Sequence, residues 1–164
     1  MIQSVDSFIA YFESIRRRTL NFIQAIPPER LAWSPRAGEF TSAELVRHLG
    51  AAERMFVGAA VAGRWNYAGH EHDRQPGLDA LLAELEAGHA AAIVELRGLS
   101  DAGLCAARPT LNGPPARAWR LLMALVEHEI HHRSQLALYL ALMGVEPPQI
   151  YGLGVEDVIA LATG

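Results

Sequence analysis

Four long segments with apolar residues at helical spacing constrain the fold of this chain more than any other sequence feature. Apolar residues that recur three and four positions apart lie on one face of a helix, so each segment predicts an amphipathic helix. The hydrophobic fraction is 51%, with many Ala and Leu residues, which favour helix. The four predicted helices and a short fifth helix run from Val5 to Ala25, from Thr41 to Ala62, from Leu78 to Leu96, from Pro115 to Met143 and from Val155 to Ala162.

The segments between the predicted helices are polar or rich in Pro and Gly, and no segment is typical of a β-strand. Thr41 and Glu44 match the capping box that begins a helix. The longer loops are expected at residues 63–76 and 98–115. Four amphipathic helices joined by such loops predict a single all-α domain over residues 1–164, a four-helix bundle with a short C-terminal helix.

Composition and charge exclude several classes of protein. The formal net charge of −4 argues against a nucleic-acid partner. No run of about 18 apolar residues is present, so no membrane span is expected. The chain begins without a basic segment followed by an apolar run, so a cytoplasmic protein without a secretory signal is predicted. The only cysteine, Cys105, rules out an internal disulfide and is expected to be a small buried side chain.

Two histidines one helical turn apart, His128 and His132, lie in the fourth predicted helix. Residues four apart share one face of a helix, and such a pair of imidazoles can bind one metal ion. A third histidine, His48, lies on the apolar face of the second predicted helix. If these three side chains converge inside the bundle, they would hold one divalent ion, and imidazole ligands suit zinc, nickel or iron. Three protein ligands would leave a coordination position open for a substrate.

Two alternatives compete with this hypothesis. Each histidine could be a core residue with an ordinary hydrogen bond, as a lone inward histidine usually is. His131 could replace His132 as a ligand, but its side chain points about 100° away and towards the edge of the inward face, so His132 is favoured. His89, on the third predicted helix, could be a satisfied core histidine or could line the site. His70 and His72 lie in a polar loop, where solvated side chains are expected.

Other polar residues near the histidine pair suggest supporting roles. Arg133, Gln135 and Tyr139 are placed to hold a substrate or to form a second shell around the metal. Glu127 and Glu129 flank His128 but point sideways, and they are expected to be surface or interface charges and not ligands.

The fourth predicted helix is apolar on a second side as well, opposite the histidines. A helix that is apolar on two sides needs two surfaces to pack against. One is the bundle, and the other could be a second subunit, giving a two-fold homodimer, or the C-terminal segment of the same chain. The residues on this second side are Met123, Val126, Ile130, Ala137 and Ala141.

Several short motifs follow one another along the chain in a fixed order and spacing. They are Trp33-Ser34-Pro35, Gly38-Glu39-Phe40-Thr41, Leu45-Val46-Arg47-His48-Leu49, the run from His128 to Leu136 and the run from Leu142 to Gly152. In the order and spacing of these motifs the chain resembles the DinB superfamily. The resemblance implies a four-helix bundle, often dimeric, with a divalent-metal site of three histidines. The family's first ligand maps onto His48, and its later pair maps onto His128 and His132.

Some members of that superfamily are S-transferases or isomerases that use a low-molecular-weight thiol such as bacillithiol, mycothiol or glutathione. The sequence therefore predicts a metal-dependent enzyme acting on a small molecule, by thiol S-transferase or hydrolase chemistry. Two alternatives remain: a metal-binding stress or interaction protein without turnover, and a structural bundle whose histidines bind nothing.

Overall fold

The computed structural model describes residues 2–68 and 77–163. Within these ranges the chain forms the predicted all-α bundle and its short C-terminal helix. Short 3₁₀ segments precede α2 and follow α3, at Pro28–Arg30 and Asp101–Cys105. The helices are α1 (Val5–Gln24), α2 (Ser42–Ala62), α3 (Leu78–Arg97), α4 (Ala118–Leu142) and α5 (Val155–Ala162).

Local sequence signals account for where α2 begins and ends. The Thr41 hydroxyl accepts a hydrogen bond from the Glu44 amide, and the Glu44 carboxylate accepts one from the Thr41 amide at 2.7 Å. This is the predicted capping box, which satisfies two amides at the start of the helix. Gly63 ends α2 at a φ of 69°, a left-handed conformation that costs glycine little.

The segment before α4 differs from the prediction. Ala107–Arg108 pairs antiparallel with Ala116–Arg117 as two short strands, so the expectation that no strand forms is wrong for these residues. The Thr110 side chain closes the hairpin through hydrogen bonds with Gly113. Because this pairing holds the chain extended, α4 begins at Ala118 and not at Pro115.

The four long helices run up, down, down and up. One apolar cluster joins the first halves of α1 and α4 to the second halves of α2 and α3. The other cluster joins the second halves of α1 and α4 to the first halves of α2 and α3. Hence α1 is parallel to α4, α2 is parallel to α3, and the two pairs are antiparallel. The end of α2 and the beginning of α3 therefore lie at opposite ends of the bundle.

A buried ionic layer separates the two apolar clusters and takes one residue from each long helix. The Arg16 guanidinium donates two hydrogen bonds to the Glu129 carboxylate, at 2.9 and 3.1 Å. It also lies 2.9 Å from Glu53 Oε2, and Glu53 Oε1 is 2.6 Å from His89 Nδ1. We refer to Arg16, Glu53, His89 and Glu129 as the ionic layer.

The expectation that Glu129 is a surface or interface charge is wrong, because its side chain is fully buried. It faces α1, where Arg16 supplies the paired donors that a buried carboxylate needs. Burial raises the pKa of Glu129, and the charge of Arg16 opposes that shift. The neighbouring Glu127 is exposed and pairs with Arg120 on the surface.

Two further expectations concern the surface. Cys105 is exposed, contrary to the expected burial, because it ends the 3₁₀ segment whose buried residue is Leu104. On the second apolar side of α4, Val126 is buried in the bundle but Ile130 is partly exposed. α5 contributes no buried residue, so it does not cover that side. In the part of the chain that the structure describes, no helix is long and apolar enough to span a membrane.

Candidate metal centre

Three histidines from two antiparallel helices meet at one point. His48 on α2 has its Nε2 atom 2.9 Å from Nε2 of His128 and 3.0 Å from Nε2 of His132, both on α4. A candidate ligand atom from each ring lies within 4.8 Å of the others. Zinc–nitrogen bonds of tetrahedral geometry would separate the nitrogens by about 3.3 Å. Small movements of the rings would therefore give the spacing that one ion requires.

The environment holds two of these rings in the neutral form. Burial, and then the neighbouring His132 and His48, lower the pKa of His128 to about 3. Burial also lowers the pKa of His132, although a hydrogen bond with Gln135 opposes the shift. At neutral pH both imidazoles therefore keep a free lone pair, which is the form that binds a metal ion.

A chain of hydrogen bonds determines which nitrogen of His132 carries the proton. The Phe40 carbonyl can only accept, so the Tyr139 hydroxyl donates to it at 3.0 Å. The hydroxyl oxygen then accepts from Gln135 Nε2 at 3.1 Å, which leaves Gln135 Oε1 as an acceptor. His132 Nδ1, 2.9 Å from that oxygen, must donate. The lone pair of His132 is thus on Nε2, the atom that lies 3.0 Å from Nε2 of His48.

The surroundings of the other two rings differ. The Nδ1 atom of His48 is 2.5 Å from the Tyr67 hydroxyl, and the Phe40 ring lies 5.0 Å from the His48 ring. Within the described residues, Nδ1 of His128 is buried without a hydrogen-bond partner. The Phe56 ring lies 5.9 Å from the His128 ring. His132 and His48 are therefore each held by a polar partner, and His128 is held by packing.

Of the other predicted site residues, two belong to the hydrogen-bond chain at His132 and three do not. Gln135 and Tyr139 connect directly to His132, as described above. His131 is exposed beside His132 and contributes no atom to the histidine cluster. Arg133 is buried on the side of α4 that faces α1, where burial and then Arg18 lower its pKa. His89 belongs to the ionic layer.

His70 and His72, expected to be solvated in a loop, lie outside the described residues. Sequence reasoning missed Tyr67 and Phe40 as neighbours of His48. Phe40 occurs in a motif just before α2, but nothing in the motif indicates that its carbonyl ends the hydrogen-bond chain. Tyr67 lies in the segment that returns after α2, and only the parallel arrangement of α2 and α3 brings it back towards His48.

Comparisons with known proteins agree with this architecture. The sequence profile of the DinB family matches residues 1–160. A DinB-like protein from Bacillus cereus is similar in structure, with a TM-score of 0.78 and 17% identity over 91% of this chain and 99% of that chain. No protein of curated function matches the sequence.

Two other solved structures carry a description of activity. YfiT from Bacillus subtilis, described as a probable metal-dependent hydrolase with an unusual four-helix bundle topology, has a TM-score of 0.68 and 17% identity. That match covers 87% of this chain and 89% of YfiT. A variant of a mycothiol-dependent maleylpyruvate isomerase has a TM-score of 0.56 and 14% identity, over 80% of this chain and 60% of the isomerase. At these identities the likeness is one of fold.

Proposed function

Because this chain belongs to the DinB family, we propose that it is a metal-dependent enzyme that acts on a small molecule. In this proposal Nε2 of His48, His128 and His132 bind one divalent ion, with zinc, nickel and iron as the candidates. The observation that carries the proposal is the convergence of three imidazole nitrogens, with the lone pair of His132 on the nitrogen that lies beside Nε2 of His48. Such an arrangement is costly without a cation or a proton between the rings.

The polar partners of the ligands have positioning roles. Gln135 accepts from His132 Nδ1 and so keeps its Nε2 free for the ion. Tyr139 holds Gln135 in that orientation, and Tyr67 plays the corresponding part for His48. Arg133 has no substrate-binding role in this proposal, because its charged neighbours lie on the α1 side of α4.

The reaction we propose is hydrolysis or transfer of a low-molecular-weight thiol to an electrophile. A divalent ion held by His48, His128 and His132 would keep a coordination position open, and it would supply there the charge that lowers the pKa of a water or thiol towards neutral pH. The description of YfiT supports the first reaction, and the mycothiol dependence of the isomerase supports the use of a thiol. We also propose that the protein is a homodimer, because α4 and α5 expose large apolar side chains.

The metal is tested by elemental analysis of untagged protein, with His132→Ala compared with His131→Ala. These neighbours differ in that only His132 belongs to the histidine cluster. We expect about one ion per chain in the wild type and in His131→Ala, and none in His132→Ala. A wild type that neither carries nor takes up zinc, nickel or iron would refute the metal proposal.

The reaction is tested on metal-loaded protein with a panel of ester and amide substrates, and with electrophiles in the presence of each thiol. His128→Ala is the control for both assays, because it removes one proposed ligand. We expect turnover in one assay that depends on His128. Full metal occupancy without turnover in either assay would favour the non-catalytic metal-binding alternative.

A further inference from the structure

A polar pocket lies between α2 and α3, whereas the histidine cluster lies between α2 and α4. Its volume is about 420 Å³, which is within the range of sites that hold small molecules. Small residues on the two helices leave this space open, because Gly58, Ala91 and Ala92 line it. The pocket is therefore separate from the candidate metal centre and is large enough for a ligand of its own.

The segment that follows α2, residues 64–68, forms one wall of this pocket and is held against α2. The Arg64 amide donates a hydrogen bond to the Gly58 carbonyl at 3.2 Å, and the Trp65 indole donates one to the Pro109 carbonyl at 2.9 Å. A Cβ atom at Gly58 would lie 3.3 Å from the Arg64 carbonyl oxygen, so a glycine suits this close approach. Specific contacts thus fix the wall in place.

One arginine of the pocket, Arg54, is held by its neighbours on two sides. Its Nη2 atom donates a hydrogen bond to the Ala68 carbonyl at 3.0 Å. Its Nη1 atom lies beside Gly88 on α3, where an added Cβ atom would be only 3.1 Å away. A guanidinium carries several N–H donors in one plane, and in the described part of the chain only the donor to Ala68 has an acceptor. Because Arg54 lines the pocket, its remaining donors are available to a ligand there.

The lining of the pocket carries one positive charge without a counterion. Within residues 2–68 and 77–163, no carboxylate forms an ion pair with Arg54. The other charged residues of the lining, Arg64 and Glu95, pair with each other at 3.6 Å. Asn66 adds a side-chain amide that can both donate and accept hydrogen bonds. The pocket therefore suits a ligand with a single negative charge and a polar body.

We propose that this pocket binds a small molecule through a carboxylate group, with the Arg54 guanidinium as its main partner. The planar fork of a guanidinium matches the two oxygens of a carboxylate, and such paired, charged hydrogen bonds are strong. One carboxylate also balances the single unpaired charge, whereas a phosphate monoester would bring a larger negative charge close to Glu95. This site is additional to the metal site of the proposed function and does not depend on it.

N-acetylglycine is a suitable probe, because it joins a carboxylate to an amide, and N-acetylglycinamide is its neutral counterpart. Binding is followed by the shifts of backbone signals in two-dimensional proton–nitrogen NMR spectra, at constant ionic strength. The protein is first treated with a chelator, because a carboxylate could also bind to a divalent ion at the histidine cluster. We expect saturable shifts at pocket residues such as Asn66 and Ala91, and affinity for the neutral amide weaker by about tenfold or more.

Two arginine variants separate a specific contact from general attraction by positive charge. Arg54→Gln removes the proposed partner, so the affinity for N-acetylglycine should fall by about tenfold or more. Arg97→Gln removes the same charge from an exposed position on α3 that does not line the pocket, and it should leave the affinity within about twofold of the wild type. Both side chains are exposed, so neither change should disturb folding.

Gly88→Ala tests the position of the guanidinium without changing any charge. The added methyl group would displace Arg54 Nη1, so the affinity for N-acetylglycine should fall several-fold. Alanine forms helix more readily than glycine, and thermal unfolding checks that the variant is folded. An unchanged affinity in this variant would contradict the role of a held guanidinium.

The absence of saturable shifts with N-acetylglycine, tighter binding of inorganic phosphate, or equal losses of affinity in Arg54→Gln and Arg97→Gln would each overturn the proposal. Binding that appears only after zinc is restored would assign the carboxylate to the metal centre and would overturn it as well. Because the titrations use metal-free protein, a failure of the proposed metal-dependent function would leave their results unchanged.

Discussion

Replacing Gln135 by Leu should weaken metal binding although Gln135 is not a proposed ligand. The change keeps the approximate volume of the side chain but removes the acceptor for His132 Nδ1. It also removes the donor to Tyr139, whose own hydrogen bond to the Phe40 carbonyl remains. The main loss is therefore at His132, where the proton on Nδ1 would no longer have a partner.

The size of the effect follows from that lost hydrogen bond. A buried N–H without a partner costs about 1–3 kcal/mol. In the metal-free protein the ring can avoid part of this cost by moving its proton to Nε2, but a ring that binds an ion through Nε2 cannot. The cost therefore falls mainly on the metal-bound state, and we expect affinity to fall by about 10–100-fold, or about 1.4–2.7 kcal/mol.

Competition with a chromophoric chelator measures this affinity for zinc. Gln135→Glu is the informative control, because a carboxylate still accepts from His132 Nδ1 and should keep the affinity within a few-fold of the wild type. Ser134→Ala controls for a change at an exposed neighbour on the same helix. If Gln135→Leu binds zinc as tightly as the wild type, the hydrogen-bond chain does not determine the tautomer of His132.

Three further predictions use other parts of the structure. Tyr67→Phe should weaken zinc binding by up to about tenfold in the same competition assay, because His48 Nδ1 loses its hydroxyl partner; an unchanged affinity would contradict a positioning role. Glu129→Ala should lower the free energy of unfolding in urea by about 3–5 kcal/mol, since it leaves Arg16 buried with one carboxylate fewer, whereas Glu127→Ala should cost about 1 kcal/mol or less. In metal-free protein the pKa of His128 is about 3, below its value of 6.5 in the unfolded chain. The stability that the neutral ring contributes is therefore complete above pH 6.5 and is lost as the pH falls towards 3. Urea titrations across this range should show a shallower pH dependence for His128→Ala than for the wild type, and equal slopes would refute His128 as the source of that dependence.

The helices and the histidine cluster could be predicted from sequence because both depend on short-range patterns. Apolar spacing places His48, His128 and His132 on inward faces of α2 and α4, and any close antiparallel packing of these helices brings them together. The capping box at Thr41 is local for the same reason.

The features that could not be predicted depend on partners far away in the chain. Glu129 resembles any charged residue on a helix until Arg16, 113 residues away, is placed beside it. The predicted start of α4 at Pro115 is wrong because the residues that follow it pair with Ala107–Arg108, on the other side of a turn. The direction of α3 relative to α2 determines where Tyr67 lies, and amphipathic periodicity carries no information about helix direction.

The two faces of α4 link the stability of the bundle to the geometry of the candidate metal centre. His128 and His132 face α2, and Glu129, one position after His128, faces Arg16 on α1. A rotation of α4 that moved its histidines away from His48 would therefore pull Glu129 away from its paired donors, and breaking that buried pair is strongly destabilising. The ionic layer thus restrains the rotation of α4 and keeps the three nitrogens close together before an ion binds. On this reasoning the loss of stability in Glu129→Ala should be accompanied by weaker zinc binding, whereas Glu127→Ala should leave zinc binding unchanged and lower stability by about 1 kcal/mol or less.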